Sequence, residues 1–84
     1  MKFNEAFELL KQGKCIKLPE WGGYWTLATS PKPKESTIFM VCKNGETIDI
    51  RNTQDIMFTF GNICREDWEE ATAENIEIKK YPKI

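Results

Sequence analysis

Residues 37–51 read TIFMVCKNGETIDIR, two apolar runs joined by Asn44-Gly45. Asn-Gly between alternating apolar residues is a strong signal for a β-hairpin with a two-residue type I′ turn. Such a turn places four apolar side chains on one core face of the hairpin: Phe39, Val41, Ile48 and Ile50. The opposite face would be half apolar, whereas a sheet face open to water is normally more polar. We therefore expect another segment or a partner subunit to cover it.

The chain before the hairpin predicts one helix and two strands. Asn4 is a suitable N-cap, apolar residues recur at helical spacing, and Gly13 is a suitable stop, so a helix is expected at about 4–12. Residues 14–18 and 24–29 read as strands on either side of a Gly-Gly turn. The expected fold class is α+β, with a short N-terminal helix packed on a small, twisted antiparallel sheet of about four to five strands.

The chain after the hairpin carries weaker patterns. Residues 52–57 read as a turn leading into one helical turn, and the apolar, Gly-interrupted segment 58–64 reads as a loop or a short strand. Residues 67–71 are expected to return to the sheet, and alternation with charges at 76–78 allows a last edge strand. The length of 84 residues suits one domain, 1–84, with a loose tail at about 80–84.

Composition argues against several classes of protein. The net charge of −1 lacks the basic excess of a general nucleic-acid binder, and no transmembrane run or signal peptide is apparent. We therefore expect a cytoplasmic protein with no nucleic-acid or membrane partner. The three cysteines form no CxxC pair and the chain has no His, so we expect reduced thiols, no metal site and no cofactor.

Catalysis is not expected either. No His is available as a general base at neutral pH, and the chain has no nucleophile elbow or phosphate-cradling Gly loop. Four carboxylates crowd together near the C-terminal end: Glu66, Asp67, Glu69 and Glu70. Paired carboxylates can do acid–base work. We favour the alternative, a charged strand edge that discourages aggregation, because nothing in the sequence partners these acids.

Two tryptophans are candidates for ligand contact. Trp21 lies in a Gly-rich turn, where a large ring is easily exposed, and Trp25 follows in the second strand. An exposed ring that stacks on a nucleobase contributes about 1–3 kcal/mol to binding. The alternative for either ring is to plug the end of a small core. Trp68, within the expected last strand, is assigned to the core.

A polar run at the end of the hairpin is the second candidate. It comprises Arg51, Asn52, Thr53, Gln54 and Asp55. A turn that opens a helix offers free N–H groups to an anion, and an arginine there can pair with a phosphate. Amide and hydroxyl side chains can bind a ribose or a base edge. The alternative for two or three of these residues is ordinary helix capping, in which Thr53 or Asn52 satisfies helix N–H groups and Asp55 favours the helix dipole. Asn62 and Arg65 form a weaker, third candidate.

Four segments, in this order and at this chain length, resemble the Thoeris anti-defence proteins of type two, a family of small phage and bacterial proteins: 4–13, Trp21-Gly22-Gly23, Thr53-Gln54-Asp55-Ile56 and Glu66-Asp67-Trp68. The resemblance implies a sponge that binds a cyclic ADP-ribose type immune signal intact in the cytosol of the host cell, and in some relatives cyclic dinucleotides. It also implies a homo-oligomer, typically a tetramer, with pockets where subunits meet.

The residues alone leave other classes open. One is a non-enzymatic protein-interaction or phage accessory module that binds its partner through an apolar face. Another is a small β domain that stacks single-stranded nucleic acid on its aromatic rings, which the charge balance disfavours.

Overall fold

The computed structural model describes residues 1–29 and 36–77. The elements follow in the order α1 (Phe3–Lys11), β1 (Ile16–Lys17), β2 (Tyr24–Thr29), β3 (Ser36–Val41), β4 (Thr47–Asp49), a 3-10 turn (Ile50–Asn52), α2 (Ile56–Ile63) and β5 (Glu69–Glu70). The strands form one antiparallel sheet in the order β4-β3-β2-β1-β5. The predicted α+β class is confirmed, with α2 in addition. The predicted tail at about 80–84 lies outside the described residues.

The N-terminal helix α1 is amphipathic, as predicted, but begins one residue earlier. Its N-cap is Lys2 rather than Asn4, because the Glu5 carboxylate accepts a hydrogen bond from the Lys2 N–H at 2.8 Å. Ala6 and Leu10 are fully buried against the sheet.

The hairpin forms, but its predicted register is wrong by one residue. Met40 pairs with Ile48, where a two-residue turn would put Val41 opposite Ile48. A slip of one residue moves side chains to the other face of the sheet. Ile48 therefore shares the core face with Met40 and Trp25. Phe39 and Val41 lie on the opposite face, where both are half-buried.

The register follows from the turn, which contains three residues instead of two. The Cys42 N–H donates to the Glu46 carbonyl at 2.7 Å, and the Gly45 N–H donates to the Cys42 carbonyl at 2.8 Å. Gly45 has φ +92°, which a glycine adopts without steric cost. The Asn44 side chain accepts from the Glu46 N–H at 2.9 Å and so stabilises the loop. A three-residue loop with a left-handed glycine is the next most common hairpin connection.

The core is small and rich in tryptophan. Within the described residues, the buried hydrophobic side chains are Ala6, Leu10, Ile16, Leu18, Trp25 and Trp68. The ring centroids of Trp25 and Trp68 lie 5.1 Å apart, and the Trp21 ring lies 5.5 Å from Trp25 and 5.4 Å from Trp68. The assignment of Trp68 to the core is therefore confirmed.

The segment after the hairpin departs most from prediction. Residues 56–63 form α2, so the expectation of a loop or short strand at 58–64 is wrong. Asp55 caps this helix by accepting from the Phe58 N–H at 2.9 Å. The helix consists mainly of apolar residues, yet its buried side chains are Thr59 and Asn62. Because polar residues face inward, the apolar periodicity of the sequence does not reveal the helix.

The end of the described chain returns to the sheet once. β5 pairs with β1 and confirms the predicted return at 67–71. Residues 71–77 contain no strand, so an edge strand that includes Ile76 is wrong, while Ile78 lies outside the described residues. Neither helix in the described ranges is long and apolar enough to cross a membrane.

Candidate functional site

A cavity of about 440 Å³ lies where the Gly-rich turn, the hairpin turn and α2 meet. Its size falls within the range of roughly 300–1,000 Å³ that small-molecule sites occupy. The sheet side of its lining comprises residues 20–25 and 40–43. The α2 side comprises Thr53, Phe58, Thr59 and Asn62, and Glu77 completes the lining.

Trp21 and Trp25 both line the cavity, but their side chains differ in exposure. Trp25 is only 4% exposed, so most of its ring belongs to the core. Trp21 is half-buried, and its ring is held perpendicular to that of Trp68. The alternative in which the ring plugs the end of a small core therefore holds for Trp25. Trp21 is the ring that retains a surface for stacking on a planar ligand.

The two glycines after Trp21 allow the walls of the cavity to approach each other. A Cβ on Gly23 would lie 2.0 Å from the Val41 carbonyl oxygen, so β2 approaches β3 there more closely than any side chain permits. A Cβ on Gly22 would lie 3.1 Å from the Lys43 side chain. The Gly22 carbonyl also accepts from the Glu77 N–H at 2.6 Å. The Gly-rich turn is therefore fixed from both sides.

The inner face of α2 supplies the polar wall. Asn62 is 7% exposed, and its backbone carbonyl accepts from the Trp68 indole N–H at 3.1 Å. Its side-chain nitrogen Nδ2 has no hydrogen-bond partner in the described part of the chain. A buried donor left unpaired costs about 1–3 kcal/mol. Such a donor beside a cavity is therefore a good candidate for contact with a ligand acceptor.

Two hydroxyls lie beside this amide. Thr59 is buried on the same helix, and its Oγ1 lies 3.4 Å from the Oγ1 of Thr53. Either hydroxyl can donate to the other, so one proton remains for a ligand acceptor. The α2 side of the cavity therefore offers uncharged donors.

An arginine anchors the rim of the cavity near Trp21. Arg65 Nη2 donates to Glu20 Oε1 at 3.0 Å, and Arg65 Nε donates to Asp67 Oδ1 at 3.0 Å. These hydrogen bonds hold the pKa of both carboxyls below their usual range. Glu20 precedes Trp21, so Arg65 ties the Gly-rich turn to the segment after α2. Among the described lining residues, Lys43 is the only cation.

The structure divides the predicted site residues into two groups. Four line the cavity: Trp21, Trp25, Thr53 and Asn62. The other five lie outside its lining: Arg51, Asn52, Gln54, Asp55 and Arg65. Asp55 is the N-cap of α2, a role that the capping alternative gave to Thr53 or Asn52, and Asn52 and Gln54 are exposed.

Arg51 is engaged by the strand that precedes it. Its Nη2 donates to Asp49 Oδ2 at 2.8 Å, and its backbone N–H donates to Asp49 Oδ1 at 2.9 Å. The side-chain bond first and the backbone bond second lower the pKa of Asp49 to about 2. The Thr37 hydroxyl donates to the same carboxylate at 3.3 Å. The guanidinium therefore organises the end of β4.

Sequence reasoning did not find several lining residues, among them Lys43, Phe58 and Thr59. The signal for Thr59 was its spacing of three from Asn62 inside an otherwise apolar run, which puts both on one face of a helix. Lys43 had no such signal, because its place beside Gly22 depends on the register of the hairpin.

Comparison with protein-family models and with curated proteins finds no match for this chain. Within residues 1–29 and 36–77, no cluster of His, Cys, Asp and Glu is arranged to hold a metal ion.

Proposed function

We propose that the chain binds and sequesters, without cleaving it, a cyclic ADP-ribose type signalling nucleotide, as the resemblance to the Thoeris anti-defence family implies. The observation that supports this best is a ligand-sized cavity that combines an accessible tryptophan with an unpaired, buried amide donor. A nucleobase needs both features, since its face stacks on a ring and its edge accepts hydrogen bonds.

The chemistry of the walls orients the ligand in this proposal. The Trp21 ring stacks on the adenine, and the Asn62 amide donates to a base nitrogen or a ribose oxygen. Lys43, at the hairpin turn, belongs to the cavity lining, and its positive charge pairs with the pyrophosphate. Arg51 stabilises the fold near the site, because it is bonded to Asp49.

Sequestration without cleavage is part of the same proposal. Three of the four clustered carboxylates are paired with cations: Asp67 with Arg65, Glu69 with Lys17 at 3.1 Å, and Glu70 with Lys14 at 3.8 Å. These pairs favour the interpretation of the cluster as a charged strand edge over a pair of carboxylates held for acid–base work. A sponge needs tight equilibrium binding and no proton transfer.

The proposal extends to the setting of the protein. It acts in the cytosol of the host cell as a homo-oligomer, for which the resemblance implies a tetramer, and it binds neither nucleic acid nor membrane. Cyclic dinucleotides are a second ligand class to be tested, because they offer the same stacking faces and phosphates.

A thermal-shift panel tests the proposal directly. It contains cyclic ADP-ribose isomers, linear ADP-ribose, NAD and cyclic dinucleotides. A ligand at about 1,000 times its dissociation constant adds about 4 kcal/mol to the free energy of unfolding, which gives a clear shift. We expect such a shift with a cyclic isomer, and recovery of that isomer intact after heat denaturation of the protein.

Two variants locate the site. Trp21→Ala should weaken binding of the shifting ligand, whereas Gln54→Ala, at an exposed position outside the cavity, should leave it unchanged. If Trp21→Ala bound the ligand as tightly as Gln54→Ala and the wild type do, the ligand would bind elsewhere.

The alternative function is a non-enzymatic protein-interaction or phage accessory module. The exposed apolar side of α2 favours it. The absence of a thermal shift with every nucleotide in the panel would select this alternative.

A further inference from the structure

The lining of the cavity carries more negative than positive charge. Among the described lining residues, the carboxylates are Glu20 and Glu77, and the cation is Lys43. One lysine against two glutamates gives this lining a formal net charge of −1 at neutral pH. A negative wall repels the phosphates of a nucleotide. One of the two carboxylates therefore has to be offset before the cavity suits an anionic ligand.

Arg65 offsets the charge of Glu20 from outside the lining. Its Nη2 donates to Glu20 Oε1 at 3.0 Å, and its Nη1 donates to Glu20 Oε2, so guanidinium and carboxylate meet through two hydrogen bonds. Such a bidentate pair is stronger and better oriented than a single contact between exposed charges. The Glu20 carboxylate is therefore both neutralised and held in one place.

A second carboxylate fixes the position of Arg65. Its Nε donates to Asp67 Oδ1 at 3.0 Å, and its Nη2 also donates to Asp67 Oδ2. The Arg65 side chain is less exposed than that of either partner, and Asp67 lies outside the cavity lining. Removal of the guanidinium would leave two like charges without their shared partner, one of them in the wall of the cavity.

We propose that Arg65 sets the charge preference of the cavity, because its pairing with Glu20 allows an anionic ligand to enter. This inference deepens the proposed nucleotide binding and rests on it for the identity of the anion. With Glu20 offset, the charged lining that remains is Lys43 and Glu77, one charge of each sign. Arg65 is thus a positioning residue that acts through Glu20, whereas Lys43 contacts the phosphate.

Trp21 provides a probe of this charge that needs no nucleotide. It follows Glu20 in the chain, lines the cavity and is half-buried, whereas Trp25 and Trp68 are only 4% and 1% exposed. A dissolved quencher therefore reaches the fluorescence of Trp21 most easily. Iodide is an anion and acrylamide is uncharged, so the ratio of their quenching constants reports the electrostatic potential at the ring. Trp21→Phe gives the background from the two buried rings.

Quenching of the Arg65→Gln variant tests the proposal. At a constant halide concentration of about 0.1 M, where charges interact over about 10 Å, the iodide-to-acrylamide ratio should fall about twofold from the wild-type value. Glu20→Gln added to Arg65→Gln should restore the ratio, because it removes the exposed carboxylate. Lys11→Gln removes the same charge as Arg65→Gln at an exposed position outside the lining, and should leave the ratio unchanged.

Several outcomes would overturn the proposal. One is an unchanged ratio in Arg65→Gln, and another is a fall that Glu20→Gln does not reverse. Equal changes in quenching by iodide and by acrylamide would show that Arg65 only holds the ring in place. If circular dichroism shows that Arg65→Gln does not fold, Glu20→Gln alone decides. The guanidinium, freed from one carboxylate, should then raise the ratio, and the absence of a rise would refute the role of Arg65.

Calorimetric titration separates this inference from the proposed function. The affinity for a cyclic ADP-ribose isomer should fall about threefold in Arg65→Gln and recover in the double variant, whereas uncharged adenosine should bind both variants equally. An equal loss for the isomer and for adenosine would contradict a charge preference. If the wild type binds no nucleotide, the proposed function is wrong, and the quenching ratios still decide whether Arg65 controls the entry of anions.

Discussion

The two helices of this protein are built on opposite patterns. α1 buries Ala6 and Leu10 and carries its charged residues on the outside, with Lys11 and Glu8 paired at 2.9 Å. α2 buries Thr59 and Asn62 and exposes apolar residues such as Met57. The first helix therefore stabilises the core. The second lines a cavity with Phe58, Thr59 and Asn62 and leaves most of its apolar side chains exposed.

The difference shows that an apolar residue in a helix does not always indicate contact with the core of the same chain. In α1, an apolar position predicts contact with the core of the same chain. In α2, most apolar positions are exposed, and the polar positions Thr59 and Asn62 line the candidate cavity. A helix that is apolar on its exposed side therefore indicates function more than stability.

The largest expected effect comes from truncation of each helix at one apolar residue. Leu10→Ala removes a fully buried side chain from the core and should lower the free energy of unfolding by about 2–5 kcal/mol. Met57→Ala, at a 79% exposed position, should change it by less than about 0.5 kcal/mol in the monomer. Urea unfolding of dilute protein measures both, since dilution removes the contribution of association.

Equal destabilisation by Leu10→Ala and Met57→Ala in dilute protein would contradict this difference between the two helices. It would mean that Met57 packs within its own chain.

Asn62→Leu tests the role of the inner face of α2. The leucine has the same branching and the same number of side-chain heavy atoms, and it removes the unpaired buried nitrogen Nδ2, so the variant should be more stable by about 1 kcal/mol. The backbone carbonyl still accepts from Trp68, so the helix keeps its contact. Nucleotide affinity should fall about tenfold or more, because the ligand loses its donor. Urea unfolding and calorimetric titration measure the two effects on the same preparation.

The conservative control is Asn62→Gln, which keeps the donor but displaces it. It should recover part of the affinity and none of the stability. A leucine variant that is less stable than the wild type would show that the amide has a partner in solution.

Gly61→Ala tests the backbone of α2. The glycine lies inside a helix with open space around it, so alanine should stabilise the monomer by about 0.5–1 kcal/mol. Gly13→Ala, after α1, should destabilise instead, because Gly13 has φ +88°. Thermal unfolding of the two variants should therefore shift in opposite directions. Shifts of the same sign would contradict the assigned conformations.

Local patterns predicted much of the fold. α1, β2 and the hairpin follow from helical spacing, alternation and Asn44-Gly45, all of which act within a few residues. The register was wrong because two- and three-residue turns both accept Asn-Gly, and hydrogen bonds around Gly45 decide between them. α2 was missed because tertiary structure, rather than local pattern, turns its polar residues inward.

The candidate site likewise has residues that local chemistry predicts and residues whose role depends on tertiary structure. Trp21, Thr53 and Asn62 were found from residue chemistry alone and lie at the cavity. Arg51 was assigned to a ligand, but a carboxylate two residues earlier engages it. The sequence does not reveal this pairing, because Asp49 reaches Arg51 only when the chain bends into the 3-10 turn after β4.

The smallest expected effect concerns the segment that leads into α2. α1 ends at Lys11, two residues before Gly13. The segment before α2 is instead held by Asp49, whose carboxylate binds Arg51 and Thr37. Arg51 lowers the pKa of Asp49 from the ordinary value of 3.8 to about 2 in the folded chain. Since the folded pKa lies below the unfolded one, this contribution to stability is complete above pH 3.8 and is lost as the pH falls towards about 2. The urea midpoint of the wild type should therefore decline through that window, and Asp49→Asn should remove part of the decline. An Asn variant with the same pH profile as the wild type would show that other carboxylates account for the acid sensitivity, and that the 3-10 turn before α2 does not depend on the Asp49 charge.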